Sequence, residues 1–114
     1  MEALAIESLL TARRYGVERE VLASLAETFP GLDWERQPTW FWRRVVQHGR
    51  RRAEEMREAA VTVSDVGIAP RMATATADVQ AWVTMLRSEG VFADVASDPS
   101  WRELADCIKV ESND

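Results

Sequence analysis

One long seam constrains this chain more than any other feature. Trp42, Val45/Val46, Gly49, Ala53, Met56, Ala59/Ala60, Val63 and Val66 recur in alternating steps of three and four across residues 40–66. That spacing lines one face of an α-helix, whereas a half-buried strand would alternate every second residue. Thr39 stands where a capping hydroxyl is needed, and Gly67 followed by Pro70 closes the segment. Away from the seam, Arg50/Glu54 and Arg51/Glu55 are i, i+4 pairs in the weaker, Arg-first order. Gly49 in mid-helix costs about 1 kcal/mol against Ala. It marks either a kink or a close crossing by another helix.

The rest of the chain reads as helices that could cover this seam. Residues 2–15 place Ile6, Leu9, Leu10 and Arg13 on one stripe and the small residues Ala5, Ser8 and Ala12 on another, with Gly16 as the stop. No capping residue precedes Ala3, so the pattern is already running at Met1 and the chain reads as cut into rather than begun. Residues 17–29 form a second helix with Val21, Leu22, Leu25 and Phe29 inward, ended by Pro30-Gly31. Pro70 opens a fourth helix to residue 89, with Met72, Ala75, Val79, Trp82, Val83 and Leu86 inward and Gly90 following it. Asp98-Pro99 caps a last short helix carrying Trp101, Leu104, Ala105 and Ile108. No segment qualifies as a strand. The expected fold class is all-α: a bundle of about five helices without a sheet. Residues 1–109 form one domain, and 110–114 form a frayed acidic tail.

Charge and composition narrow the function classes. With 114 residues and a net charge of −5, the chain has room for one core and no global excess of the cations that phosphate backbones require. Glu54 and Glu55, next to Arg43–Arg52 on the same helix, argue further against nucleic acid. No apolar run approaches the ~20 residues of a membrane span. A single Cys, Cys107, cannot form an internal disulfide. Together these point to a cytoplasmic protein.

Candidate sites are few. His48 is the sole histidine and is followed by Gly49 and Arg50–Arg52. It either shares an anion-binding cleft with Arg51 and Arg52, since guanidinium matches carboxylate and phosphate geometry, or belongs to a solvated basic face. Spacing supplies neither an orienting partner nor a nucleophile, so no catalytic residue is assigned. Glu54, Glu55 and Glu58 lack a Glu-x-x-His partner, so no metal site is expected. Cys107 has no base beside it and reads as a structural thiol. No GxGxxG, P-loop or HExxH is present, so no cofactor is expected in this chain. Trp40, Phe41 and Trp42 point about 100° apart on a helix, and one contact cannot bury all three. Either the loops around Trp34 cover the remainder, or the cluster is an intermolecular interface, the reading favoured here.

The runs MEALAIESLLTARRYGVEREVLASLAETFPG, HGRRRAEEMREAAVTVSDVGIAP and DVQAW resemble the helical C-terminal domain of 6-phosphogluconate dehydrogenase-like and β-hydroxyacid dehydrogenase-like oxidoreductases. The branch they resemble most is the one whose C-terminal domain is described as of unknown function. The resemblance covers residues 1–90 and rests on several helices in order. It implies a dimerisation and substrate-cleft domain that forms a homodimer and partners an N-terminal Rossmann domain binding NAD or NADP. It also implies a catalytic Lys roughly three turns upstream of residues 1–15, so that the isolated chain is inactive. Where β-hydroxyacid dehydrogenases often carry Lys-Asp thirteen residues before the turn glycine, this chain has Glu54-Glu55 before Gly67. The Arg-x-x-x-Glu-Met pattern of the nearer branch is matched by Arg51, Glu55 and Met56. The substrate-cleft residues so implied are His48, Arg51 and Glu55. The alternative is a free-standing helical interaction module using Trp40, Phe41 and Trp42.

Overall fold

The seam becomes the longest helix of the molecule. In the computed structural model, which describes residues 1–109, five helices follow in order: α1 (Glu2–Tyr15), α2 (Glu18–Thr28), α3 (Gln37–Asp65), α4 (Arg71–Ser88) and α5 (Trp101–Cys107). The fold is all-α, with no strand among the described residues. The tail at 110–114 lies outside them. The 29 residues of α3 rise about 1.5 Å each, enough to span the 41 Å longest dimension of the molecule.

α3 begins at Gln37, earlier than Thr39 suggests, because Pro38 sits in the first turn, where its missing N–H costs nothing. Thr39 does not cap α3. Its Oγ1 accepts a hydrogen bond from the Trp101 backbone N–H at 3.2 Å, tying α3 to the start of α5. The cap of α5 is Ser100 rather than Asp98: its hydroxyl accepts from the Glu103 N–H at 3.2 Å. α1 ends as expected at Gly16, whose φ of 69° is one that side chains other than glycine rarely adopt.

The core lies where α1, α4 and α5 converge on the first half of α3, with α2 packed on the outside of α1. Ile6, Leu9, Leu22, Trp42, Val45, Val83, Phe92, Trp101, Leu104 and Ile108 form one buried cluster. The Trp42 and Trp101 ring centroids are 6.3 Å apart. α3 and α4 are the most extensively packed pair, joined by the turn at 66–70. Gly49 marks a close crossing: a Cβ there would lie 2.6 Å from Thr84 Oγ1 and 2.9 Å from the Gln80 carbonyl oxygen.

That crossing corrects part of the expected inward face of α4: Val83 is buried and Val79 and Leu86 pack against the core as expected, but the rest of the face differs. Ala73, Ala77, Gln80 and Val83 are buried, while Met72, Ala75 and Trp82 face outward. Two helix backbones this close admit only small residues between them, so the bulkier stripe is turned away. Phe29, expected inward on α2, is also exposed.

Candidate functional site

Residues 40, 44, 48, 51, 52 and 55 are spaced by threes and fours, which puts them along one side of α3, away from the buried Trp42, Val45 and Gly49. Trp40, Arg43, Arg44, Gln47, His48, Arg51 and Arg52 line an open groove of about 480 Å³. His48 and Arg51 therefore line the same groove. The structure does not bring Glu55 with them: Glu55 lies one turn beyond the groove, with Oε1 3.6 Å from Arg51 Nε, both side chains well exposed. An exposed pair of that length contributes at most a few tenths of a kcal/mol, so Arg51 is free to exchange partners.

The groove also recruits a residue that no local pattern announced. Glu2, at the start of α1, places Oε1 3.3 Å from Arg52 Nη1 and 3.6 Å from Arg44 Nε. One carboxylate thus faces two guanidiniums. Glu2 Oε2 and Arg52 Nε are both buried without a hydrogen-bond partner. Arg43 is held from the other side: Nη1 lies 2.6 Å from Asp98 Oδ1, and Nε donates to the Pro99 carbonyl at 2.7 Å. Four arginines therefore line the groove against Glu2, Asp98 and, at its edge, Glu55. The result is a local cationic surface on a chain of net charge −5.

The aromatic cluster divides. Phe41 and Trp42 are buried in the monomer, whereas Trp40 is 55% exposed. Trp42 packs on Trp101 and so belongs to the core, which removes it, and Phe41, from any intermolecular surface. An interaction module built on all three aromatics has no such surface here. Trp40 stays on the groove wall, with the Arg44 guanidinium 5.6 Å from its ring centroid.

Other charged groups are architectural. Arg13 donates from Nη1 to Glu18 Oε1 at 2.7 Å, and from Nε and Nη2 to the Asp106 carboxylate at 3.0 and 2.9 Å, clasping α1 to α2 and α5. The two carboxylates, Asp106 first, raise the Arg13 pKa. Glu18 is lowered by a backbone hydrogen bond and then by Arg13, and Asp106 is lowered by Arg13. Burial, reinforced by the charges of Asp106, Asp94 and Glu103, pushes the Cys107 thiol up, away from thiolate chemistry. Among the described residues no three His, Cys, Asp or Glu side chains converge to hold a metal. No described helix is long and apolar enough to cross a membrane.

A second surface is apolar. Val61, Val66, Ile68 and Met72 are exposed around the α3–α4 turn, and Trp82 and Met85 border a concavity of about 890 Å³ with Leu10 and Val91.

Comparison with known proteins returns little that is functional. A family described as "Domain of unknown function (DUF1932)" matches residues 12–83, which include the whole of α3. Among solved structures, a conserved hypothetical protein from Sinorhizobium meliloti 1021 is similar, with 34% identity and a TM-score of 0.79 over 93% of this chain. The likeness covers 34% of that protein, so this chain spans about a third of its length. No curated protein matches.

Proposed function

The chain belongs to the DUF1932 family, and from that premise we propose that it is the dimerisation and substrate-cleft domain of an NAD(P)-dependent oxidoreductase resembling 6-phosphogluconate and β-hydroxyacid dehydrogenases. The observation that carries this reading is the seat of Glu2. It sets the first turn of α1 beside the arginines flanking His48. An upstream extension of α1 would thus leave from beside the groove lined by His48 and Arg51. The greater length of the Sinorhizobium protein, three times the part matched here, agrees with a further domain.

In this reading the dinucleotide is held elsewhere. Its pyrophosphate needs a glycine-rich strand–turn–helix, which the described residues do not supply, so no catalytic step is assigned to them. What they contribute is cationic orientation of a substrate: Arg44 and Arg51 as charge-assisted donors, with Glu2 and Asp98 holding their neighbours in place. The apolar residues around the α3–α4 turn and along outer α4 supply a surface for a second copy.

Two measurements test the proposal. The DNA preceding the Met1 codon should encode, in frame, a GxGxxG turn and a downstream Lys. A preceding sequence without them overturns the dehydrogenase assignment. Light scattering of the chain at tens of micromolar should report a dimer, and a monomer there removes the dimerisation role.

A further inference from the structure

Between the end of α4 and the start of α5 the chain turns across α3 and bounds a hollow of about 340 Å³. Pockets that hold small ligands begin at roughly this size, about 300 Å³. The floor belongs to the core: Phe92 and Leu104 are buried, and Val46 and Val95 pack against the same cluster. On α3 the hollow touches only residues 43–47, about 6 Å of helix axis. One small molecule can therefore meet its floor and its rim together.

Arg87 stands on that rim. Its Nη1 donates to the Val46 and Gln47 carbonyls at 3.2 and 3.1 Å, which anchors the guanidinium on the same turn of α3. Among the described residues its Nε and Nη2 meet no acceptor, and no carboxylate pairs with it. Arg13 shows what this edge of a guanidinium does: its Nε and Nη2 hold both oxygens of Asp106, at 3.0 and 2.9 Å. Arg43 also borders the hollow, but Asp98 and the Pro99 carbonyl already hold it. An apolar floor thus meets one guanidinium whose carboxylate-binding edge has no partner among the described residues.

We propose that the hollow binds a small aliphatic carboxylic acid, with the carboxylate on the Nε/Nη2 edge of Arg87 and the short chain over Phe92, Val95 and Leu104. The bidentate pair fixes the acid group, and each methylene covered adds affinity. The site is separate from the basic groove. Arg44, His48 and Arg51 do not line it, although Arg43 and Gln47 border both. It stands whether or not the chain serves a dehydrogenase.

The test titrates the full chain at neutral pH and low ionic strength with hexanoate, acetate and hexan-1-ol. The readout is the amide resonances of residues 90–96 and the Nε–H resonance that disappears in Arg87→Met. Hexanoate saturates with a dissociation constant of about 1 mM and binds about tenfold more tightly than acetate, the ratio that two buried methylenes supply. It also binds about tenfold more tightly than the alcohol, which keeps the chain and lacks the charge. Arg87→Met removes the preference for acid over alcohol, and Arg87→Lys keeps part of it. A residue that only tied α4 to α3 would change stability without changing that preference. Circular dichroism confirms that both variants are folded, and the three-ligand comparison on the parent chain stands without them. Equal binding of hexanoate and hexan-1-ol, or an acid preference that survives Arg87→Met, overturns the carboxylate anchor. Equal binding of hexanoate and acetate overturns the apolar floor. Shifts confined to residues 44–52 place the acid in the basic groove and overturn the site, as does the absence of saturable binding.

Discussion

The two halves of α3 carry the same spacing of small and apolar residues and meet different fates. In the first half Phe41, Trp42, Val45, Gly49 and Ala53 are all buried. In the second, Met56, Ala59, Ala60 and Val63 are only half-buried, and Val66 just beyond the helix is exposed. The difference is coverage. α1 and α5 close over the first half together with α4, while the far end of the hairpin has α4 alone. Periodicity thus selects the face of a helix, and burial along that face depends on how many neighbours reach it.

The sharpest way to break this comparison is to truncate one residue on each half. Trp42→Ala removes a fully buried ring packed on Trp101 and should cost about 3–5 kcal/mol in urea denaturation. Val63→Ala, on the half-covered stretch, should cost about 1 kcal/mol or less. Comparable losses at both positions would mean that something in solution covers the second half as completely as the core covers the first.

Gly49, near the junction of the two halves, should show the next largest effect. Ala has the better helix propensity by about 1 kcal/mol, so a free helix would gain from the change. Here the new Cβ would meet Thr84 Oγ1 and the Gln80 carbonyl well inside contact distance. A hydroxyl can rotate away but a backbone carbonyl cannot, so α3 and α4 must separate. We expect Gly49→Ala to destabilise by about 1–3 kcal/mol, and Thr84→Ala in the same chain to restore only part of that loss. A stabilised Gly49→Ala would show that the helices pack more loosely than this.

How legible the fold was depends on which physics each element uses. α1 and α5 could be read because their buried residues are large: Ile6, Leu9, Trp101, Leu104 and Ile108 stand out at helical spacing. The inward face of α4 could be read only at Val79, Val83 and Leu86, because the rest of it is Ala73, Ala77 and Gln80, small or polar residues selected by the approach at Gly49. A reading by hydrophobicity therefore chose the outward Met72 and Trp82. The same limit applies at the groove. His48 and Arg51 share it because they are one turn apart, and Arg44 lies one turn before His48, a signal present in the sequence and unused. Glu2 arrives from another helix, and no spacing rule connects residue 2 to residues 44 and 52.

The Arg13 clasp tests the covered region through acid. Glu18 and Asp106 are held below their ordinary pKa values of 4.5 and 3.8 by hydrogen bonds that include Arg13. A carboxylate lowered in the folded state contributes stability that is complete above its unfolded value and lost as pH falls through the folded one. The wild-type chain should therefore lose stability as pH drops below these ordinary values. Arg13→Gln should start less stable at neutral pH and follow a flatter acid limb, so the two curves converge in acid. Parallel curves would mean that the clasp contributes nothing through these charges.

The smallest change in stability is expected where the comparison says packing has stopped. Val61, Ile68 and Met72 are each more than half exposed around the α3–α4 turn, and Ser at any of them should move the urea midpoint by no more than about 0.5 kcal/mol of stability. The same substitutions should have a far larger effect on assembly. If the apolar end of the hairpin seats a second copy, the triple Ser variant sediments as a monomer at concentrations where the parent chain is a dimer. Its groove, which opens along the first half of α3, keeps the anion binding of the parent. A variant that stays dimeric moves the contact to the other apolar surface, the concavity edged by Trp82 and Met85. A parent chain already monomeric removes the second copy from this surface. The uneven coverage of α3 leaves two surfaces of different chemistry on one helix: a cationic groove along its covered half and an apolar turn at its uncovered end.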